Sequence, residues 1–372
     1  MILFKLLLIY TIIVIKYIYC SVLNKEKNNT IIFNENLTNN SIKNKLLNRK
    51  NIPYENKNEY YQFKNSLIIN SRYTTSFSFY NQLDGEEKRI YDTIYEGSIK
   101  TLPVFDYEFD VNFDNLDEFR KTRLKILTIM YLENPELWWI RGGTKCYYKN
   151  YYNNVIYHFN ITIKDYDDSL YKNYSAEQIS KLNEEIIDEK KKIIKKIKTL
   201  NIKTPYAVMR FIHDYLIKNI NYLFDNNKIF NHDIYGALVE MECSYIGFSK
   251  AFQYLSNQFG INCIMALGYE NNARWNFVEL HNKWYIVDVS RDIGNEKDIL
   301  LDFFLIGSKN EKYLNDKRYK LRYSFYDNYN EFITYPENIE TNDYIPNEEE
   351  IKEINTFLST PFVLIKSTFK YF

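Results

Sequence analysis

Four cysteines and four histidines are the residues of this 372-residue chain that could support nucleophilic or metal-dependent chemistry. The histidines are scattered and no Cys-x-x-Cys pair occurs, so the sequence predicts no metal site. It also lacks a glycine-rich phosphate loop, and we expect no cofactor. The cysteines are Cys20, Cys146, Cys243 and Cys263. Thiol chemistry remains to be considered, and it requires a thiolate, a base and a group that orients the base.

The segment from Ile234 to Asp292 contains the elements that could position such groups. A helix is predicted over Tyr245 to Gln258, with Gly260 ending it. A thiolate at the N-terminus of a helix is stabilised by the helix dipole. Three strands are predicted to follow, with a hairpin turn at His281-Asn282: Cys263 to Gly268, Trp275 to Leu280, and Trp284 to Val289.

Motifs in this segment resemble the core of transglutaminase-like proteins, which share a papain-type thiol fold. That family has a helix that begins C-x-G-[YF]-[AS]-x-A, then a strand with H-A-W-N, then a hairpin leading to W-Y-x-V-D. The matching residues here are Gly247-Phe248-Ser249-Lys250-Ala251, Trp275-Asn276, and Trp284-Tyr285-Ile286-Val287-Asp288. The resemblance covers about a hundred residues, Thr204 to Ser308. It implies an α+β core in which a helix packs on an antiparallel sheet. The helix and strand patterns earlier in the chain predict a smaller α+β domain before this core.

The resemblance also implies where a catalytic Cys, His and Asp would lie. The Cys position is occupied by Tyr245, the His position by Ala273, and the Asp position by Asp288. A phenol, with an ordinary pKa of about 10, does not replace a thiolate at neutral pH, and alanine accepts no proton. Asp288 lies 15 residues after Ala273, the separation expected of the family, so no insertion hides a histidine. The prediction is a domain without catalysis, in which Asp288 is structural.

Cys243 is the alternative nucleophile, since it lies two residues before Tyr245. Two helical residues rotate a side chain by roughly 200°, and in a loop the thiol would be displaced by several ångströms. No histidine is evident to pair with it, because His281 lies in the hairpin turn. As a structural residue, Cys243 would be a small buried hydrophobe or a disulfide partner of Cys146 or Cys263.

Two further residues flank the former catalytic position and are candidate binding residues of the cleft. They are Arg274 and Trp275. The alternative for Arg274 is that it faces solvent, an alternative that applies equally to Arg291. The alternative for Trp275 is that it belongs to the core.

The rest of the chain is predicted to supply helices and strands around this core. Helices are expected at Glu86 to Ile99, Leu116 to Leu132, Glu184 to Leu200, and from Thr204-Pro205 onward; strands are expected at Leu137 to Ile140 and Val155 to Ile163. His213, beside Asp214 on the last helix, is predicted to be structural or exposed. The predicted organisation is a signal peptide (1–20), an Asn/Lys-rich disordered linker (21–75), an α+β lead-in domain (76–183), the transglutaminase-like domain (184–310), and an extension packed on the core (311–372).

Composition and the N-terminus indicate where the protein acts. The apolar run after Lys5 is short for a membrane span and typical of a signal peptide cleaved near Cys20 or Ser21, with a retained signal anchor as the alternative. Sequons occur at Asn28, Asn36, Asn39, Asn160 and Asn173, as in a secreted glycoprotein. Basic and acidic residues balance at 48 each, which argues against nucleic acid. We expect a secreted protein whose partner is an extracellular protein or polysaccharide, with no stable membrane span after signal removal.

Overall fold

A computed structural model describes residues 77–99, 104–109, 116–139, 145–151, 154–162, 174–225, 227–270, 273–295, 298–324 and 332–359. The predicted signal peptide and linker lie outside these residues, as do all the sequons except Asn160. Asn160 is part of a strand, and only its backbone is described.

Seven α-helices occur in the described residues, together with short 3-10 and π-helical turns. The α-helices are α1 (Gly85–Ile99), α2 (Leu116–Glu133), α3 (Ala176–Thr199), α4 (Pro205–Asn219), α5 (Tyr245–Asn257), α6 (Glu311–Leu314) and α7 (Glu348–Leu358). The 3-10 turns are Tyr80–Gln82, Val289–Asp292 and Lys317–Tyr319, and the π-helical turn is Gly236–Glu240. The fold is thus a mixture of helix and sheet, as predicted.

Nine strands form three sheets in the described residues. The strands are β1 (Val104–Phe109), β2 (Lys145–Tyr151), β3 (Asn154–Thr162), β4 (Asn221–Tyr222), β5 (Glu242–Cys243), β6 (Cys263–Leu267), β7 (Arg274–Leu280), β8 (Lys283–Val287) and β9 (Phe304–Ile306). The main sheet has the order β6-β7-β8-β9 and is antiparallel throughout. A second antiparallel sheet has the order β1-β3-β2, and β4 pairs with β5 in parallel.

The chain divides into two compact units. The sheet of β1, β2 and β3 belongs to one unit, and the other elements belong to the second. The second unit therefore combines helices from both the predicted lead-in domain (76–183) and the predicted core (184–310). The predicted domain limits themselves remain predictions.

Helix ends follow local sequence signals. The Thr204 side chain caps α4 by accepting a hydrogen bond from the backbone N–H of Ala207 at 3.4 Å, and Pro205 fills the first turn, as predicted. Ser175 and Gln178 form a capping box at the start of α3. The hairpin between β7 and β8 turns at His281 and Asn282, whose φ angles of 54° and 61° match a two-residue turn with both central residues left-handed.

One structural prediction, the strand at Leu137 to Ile140, is wrong. Residues 137–139 form turn and irregular structure rather than a strand. Leu137, Trp138 and Trp139 are buried there, and the Trp138 indole N–H donates to Asn183 at 2.7 Å. A short apolar run is compatible with several buried conformations. On α4, His213 was predicted to be structural or exposed, and it is buried together with Asp214, because α5, α7 and the 3-10 turn Val289–Asp292 pack on this helix.

The segment after residue 310 pairs with the edges of the main sheet. Arg322 donates its backbone N–H to Leu267 at 2.9 Å, and Tyr269 donates to the carbonyl of Lys320 at 2.8 Å. On β8, Trp284 exchanges backbone hydrogen bonds with residues 338 and 340. Within the described residues, no helix combines the length and the apolar character needed to cross a membrane.

Candidate functional site

The three positions of the predicted triad line one pocket. The pocket has a volume of about 340 Å³ and is bounded by Tyr222, Tyr245, Ala273, Arg274, Asp288, Ser290, Arg291, Arg318 and Tyr319. Tyr245 is the first residue of α5, Ala273 immediately precedes β7, and Asp288 follows β8. Because β7 and β8 are antiparallel neighbours, the start of β7 and the end of β8 lie at one end of the sheet. Helix α5 packs on β6 and β7, which brings Tyr245 to that end.

The N-terminus of α5 is held by the parallel pair of β4 and β5. Asn221 donates its backbone N–H to Met241 at 2.8 Å, and Leu223 donates to the carbonyl of Cys243 at 2.9 Å. Ser244 then caps the helix by accepting from the backbone N–H of Ile246 at 3.3 Å. This pairing places Tyr222 of β4 beside the start of α5, where its ring stacks on Phe248.

Asp288 is buried and accepts several hydrogen bonds. Its Oδ1 accepts from the Ser290 hydroxyl at 2.7 Å and from the backbone N–H of Arg291 at 3.3 Å. Its Oδ2 accepts from the Tyr319 hydroxyl at 2.9 Å. Burial raises the pKa of Asp288 above its ordinary value, while the bonds from Ser290 and Tyr319 oppose that rise. Asp288 is therefore the acceptor in a structural network, with Tyr319 as a side-chain partner where the resemblance implies a histidine.

Tyr319 reaches Asp288 from the segment after residue 310. Its ring lies edge-on to Trp275, with the ring centres 5.0 Å apart and an interplanar angle of 81°. A side chain on Gly268 is excluded, because a Cβ there would lie 2.4 Å from the carbonyl oxygen of Arg318. The pKa of Tyr319 is raised by burial and by the adjacent Asp288, so the phenol stays protonated and donates.

Cys243 lies in the core and not in the pocket. Its side chain is fully buried, and it packs so closely on the first turn of α5 that a Cβ on Gly247 would lie 2.8 Å from the sulfur. Burial raises the pKa of the Cys243 thiol well above its ordinary value, and the charges of Glu242 and Asp233 raise it further. These are the conditions that suppress a thiolate. Cys243 and Cys263 are both buried free thiols, so neither is in a disulfide.

Three histidine side chains are described, and none of them lines the pocket. His213 bridges Asp214 and Asp292, with ring nitrogens 3.0 Å and 3.1 Å from their carboxylates. His232 lies 2.7 Å from the Ser244 hydroxyl, and His281 lies in the hairpin turn, 3.3 Å from a tyrosine hydroxyl.

At the position where the resemblance implies a Cys, Tyr245 presents a neutral phenol. Burial raises its pKa above the ordinary value, although the charge of Arg274 opposes the shift. Arg274 lines the pocket, which is the first of the two alternatives given for it. Its guanidinium donates to the carbonyl of Ala273 at 2.9 Å. Trp275, the other candidate binding residue, is completely buried and does not line the pocket, so it is a core residue. This burial agrees with the core alternative, and a binding role for Trp275 stays a prediction.

The sequence did not identify Arg318 or Tyr319 as residues of the site. They lie more than 25 residues beyond Asp288, in a stretch without a motif, and reach the pocket only because the chain returns along the sheet edge. Tyr222 was missed because a two-residue parallel strand carries no periodic signal. No group of three or more potential metal ligands occurs among the described residues.

Comparison with known proteins gives a distant likeness. A crystal structure of a TGase matches with 15% sequence identity and a TM-score of 0.27, over 50% of this chain and 51% of that chain. This chain therefore spans about half the length of that solved structure. A scan against protein-family models finds no match, and a search of curated proteins finds none. A likeness this distant assigns neither a family nor an activity.

Proposed function

We propose that this chain is a secreted transglutaminase-like protein that lacks transglutaminase and peptidase activity and acts as a binding module through the pocket beside Asp288. The observation that carries this proposal is the set of residues that line the pocket. Tyr245 and Ala273 stand where the resemblance implies a nucleophile and a base, and both line the same cavity as Asp288. The family assignment rests on the motifs.

Loss of catalysis follows from the chemistry of these groups. A positioned acid–base group contributes roughly 10² to 10⁴ in rate, and an activated nucleophile opens a covalent path that a neutral phenol does not supply. With both absent, the mechanism is removed rather than weakened. The Tyr319 hydroxyl donates to Asp288 Oδ2, where the resemblance implies a histidine.

The rival function is an active thiol enzyme that uses Cys243. The burial of this thiol and its raised pKa both disfavour that function. The test is amine incorporation and peptide release by the purified protein, with and without a thiol-alkylating agent, and in a Cys243→Ala variant. We expect no turnover in any of these samples. Turnover that disappears on alkylation and in Cys243→Ala would replace our proposal with the rival.

A converse experiment asks whether the scaffold still supports catalysis. We expect the double variant Tyr245→Cys with Ala273→His to gain little activity, because Tyr319 still holds Asp288. Adding Tyr319→Ala frees the carboxylate to orient the new histidine, and we expect activity only in this triple variant. Activity in the double variant, in which Tyr319 is unchanged, would show that Tyr319 does not block the site.

Secretion rests on the apolar run after Lys5 and is tested independently. We expect the mature chain to begin close to Ser21 and to be recovered outside the cytosol. N-terminal sequencing that finds Met1 on a cytosolic protein would refute secretion and leave the proposal about the pocket intact.

A further inference from the structure

A buried histidine connects helix α4 to the turn that forms part of the pocket wall. The Nδ1 of His213 lies 3.0 Å from Asp214 Oδ1, and its Nε2 lies 3.1 Å from Asp292 Oδ2. All three side chains are completely buried. Asp292 ends the 3-10 turn Val289–Asp292, which directly follows Asp288 of the pocket wall. The Nε2 of His213 therefore links α4 to this turn.

The placement of the two carboxylates favours the charged form of the ring. A neutral imidazole has a proton on one nitrogen and a lone pair on the other, whereas an imidazolium donates from both. Each ring nitrogen of His213 faces a carboxylate oxygen, so a neutral ring would direct its lone pair at one of these oxygens. An imidazolium donates to Asp214 and Asp292 at the same time.

The charges around His213 balance when its ring is protonated. On α4, Arg210 donates from Nε to Asp214 at 2.8 Å and so balances the first carboxylate. The other charged groups that act on Asp292 are acidic, namely Asp288 and Asp302. Protonated His213 is therefore the group that balances the second carboxylate.

Charged side chains on the elements that pack against α4 are engaged with other partners. They come from α5, from the less exposed side of α7 and from the turn Val289–Asp292. The pairs are Lys250 with Asp233, Glu350 with Tyr344, Glu353 with Thr204, and Arg291 with Asp316. The charge state of this buried cluster therefore depends on the proton of His213.

Burial and charge together determine when this link weakens. Burial lowers the pKa of His213, but the hydrogen bonds and charges of Asp214 and Asp292 raise it more, so the pKa lies above its ordinary value of about 6.5. The stabilisation is complete below the ordinary pKa and is lost as the pH rises through the raised pKa. A neutral ring leaves a net negative charge in the interior, which favours local opening to water.

We propose that His213 is a pH-sensitive clamp of the pocket wall: its imidazolium holds the turn Val289–Asp292 on α4, and loss of the proton as the pH rises loosens that turn. The turn also supplies two donors to Asp288, from the Ser290 hydroxyl at 2.7 Å and the backbone N–H of Arg291 at 3.3 Å. Loosening of the turn therefore reaches the pocket. As regulation of that pocket, the inference rests on the proposed function.

The test is hydrogen–deuterium exchange of the full chain between pH 6 and pH 9, corrected for the intrinsic pH dependence of amide exchange. We expect the protection of the backbone amides at residues 289–293 to fall about tenfold for each unit by which the His213 pKa is raised. Protection of the central strand β7 should stay constant. A proton NMR titration of the His213 ring should give a midpoint above about 6.5. Constant protection of the turn, or a midpoint below that value, overturns the inference.

The variant Asp292→Asn separates charge from hydrogen bonding. Its amide oxygen can still accept from the backbone N–H of Phe303, which donates at 2.9 Å in the wild type, and its NH₂ group can donate to a neutral ring. We expect this variant to fold, to lose the pH dependence of exchange at residues 289–293, and to lower the His213 midpoint. An unchanged pH dependence would contradict the clamp. If Asp292→Asn does not fold, the wild-type titration decides.

The matched control is His281→Asn, which removes an exposed histidine from the hairpin turn. Its φ of 54° is a backbone conformation that asparagine adopts readily. We expect the control to keep the pH dependence of the turn Val289–Asp292. Loss of that dependence in His281→Asn would show that a histidine other than His213 is responsible, and would overturn the inference.

Failure here is distinguishable from failure of the proposed function. Exchange without pH dependence in an inactive protein removes the clamp and leaves the proposed function. Turnover that depends on Cys243 removes the proposed function, and the exchange measurement then still decides whether His213 holds the turn.

Discussion

Replacing Tyr319 with phenylalanine tests the hydrogen-bond network around Asp288. The substitution removes only the hydroxyl that donates to Asp288 at 2.9 Å. The ring contacts with Trp275 and Phe303, at 5.0 Å and 5.7 Å between centres, are retained. Both ends of the lost bond are buried, at 5% and 7% exposure. A hydrogen bond to a charged group contributes about 1.5–3 kcal/mol, so we expect the free energy of unfolding to fall by that amount at neutral pH.

The pH dependence of this loss has a definite sign. Burial raises the pKa of Asp288, and the bond from Tyr319 counteracts the rise. Above the unfolded pKa of about 3.9, the unfolded chain releases a proton that the folded carboxyl retains, so this group lowers stability as pH rises through its raised pKa. Without Tyr319's hydroxyl the pKa rises further. The difference in stability between wild type and Tyr319→Phe should therefore widen from pH 4 to pH 8.

The assay is urea denaturation of both proteins across that pH range, with Tyr313→Phe as the control. Tyr313 packs on Tyr319 with ring centres 5.1 Å apart, and within the described part of the chain its hydroxyl has no hydrogen-bond partner. We expect the control to change stability by less than about 0.5 kcal/mol. The reasoning is refuted if Tyr319→Phe costs no more than Tyr313→Phe, or if the cost does not change with pH.

Further predictions concern the core. Gly247→Ala should destabilise the protein by about 1–3 kcal/mol in thermal or urea unfolding, because the added Cβ would lie 2.5 Å from the Cβ of Cys243. The control is Gly85→Ala, which should be neutral or stabilising because no atom lies within 4 Å of the added Cβ. The pKa of His213 is lowered by burial but raised more by its two aspartate partners, so its contribution to stability is complete below about pH 6.5 and is lost as pH rises through the raised pKa. His213→Gln should flatten that decline in urea midpoints between pH 6 and pH 9.

Local signals were sufficient to predict most elements around the site. Thr204 and Pro205 define the start of α4, and the hairpin at His281-Asn282 sets the register of β7 and β8. These features depend on neighbours within a few residues, which a sequence displays directly. The apolar stretch at 137–139 was misassigned because its burial depends on a distant partner, Asn183, and an apolar run alone does not distinguish a strand from buried turns.

The site itself was predictable only in part. Spacing placed Tyr245, Ala273 and Asp288 at one end of the sheet, because a hairpin fixes the distance between its strands' ends. The partner of Asp288 was not predictable, since Tyr319 is 31 residues further along the chain and reaches the pocket through backbone pairing at a sheet edge. The environment of Cys243 was also not predictable from the sequence, because its contact with Gly247 forms only when β5 and α5 pack together.

The inactivity that we propose and the stability of the site have the same physical cause. A buried carboxylate left without its donors costs about 1–3 kcal/mol or more, so Asp288 in a site without histidine requires another partner. Tyr319 supplies that partner, and its raised pKa keeps the donated proton on the phenol rather than available for transfer. The hydrogen bond from Tyr319 therefore stabilises the buried Asp288. It also engages the oxygen atom with which an orienting carboxylate would accept a hydrogen bond from a catalytic histidine.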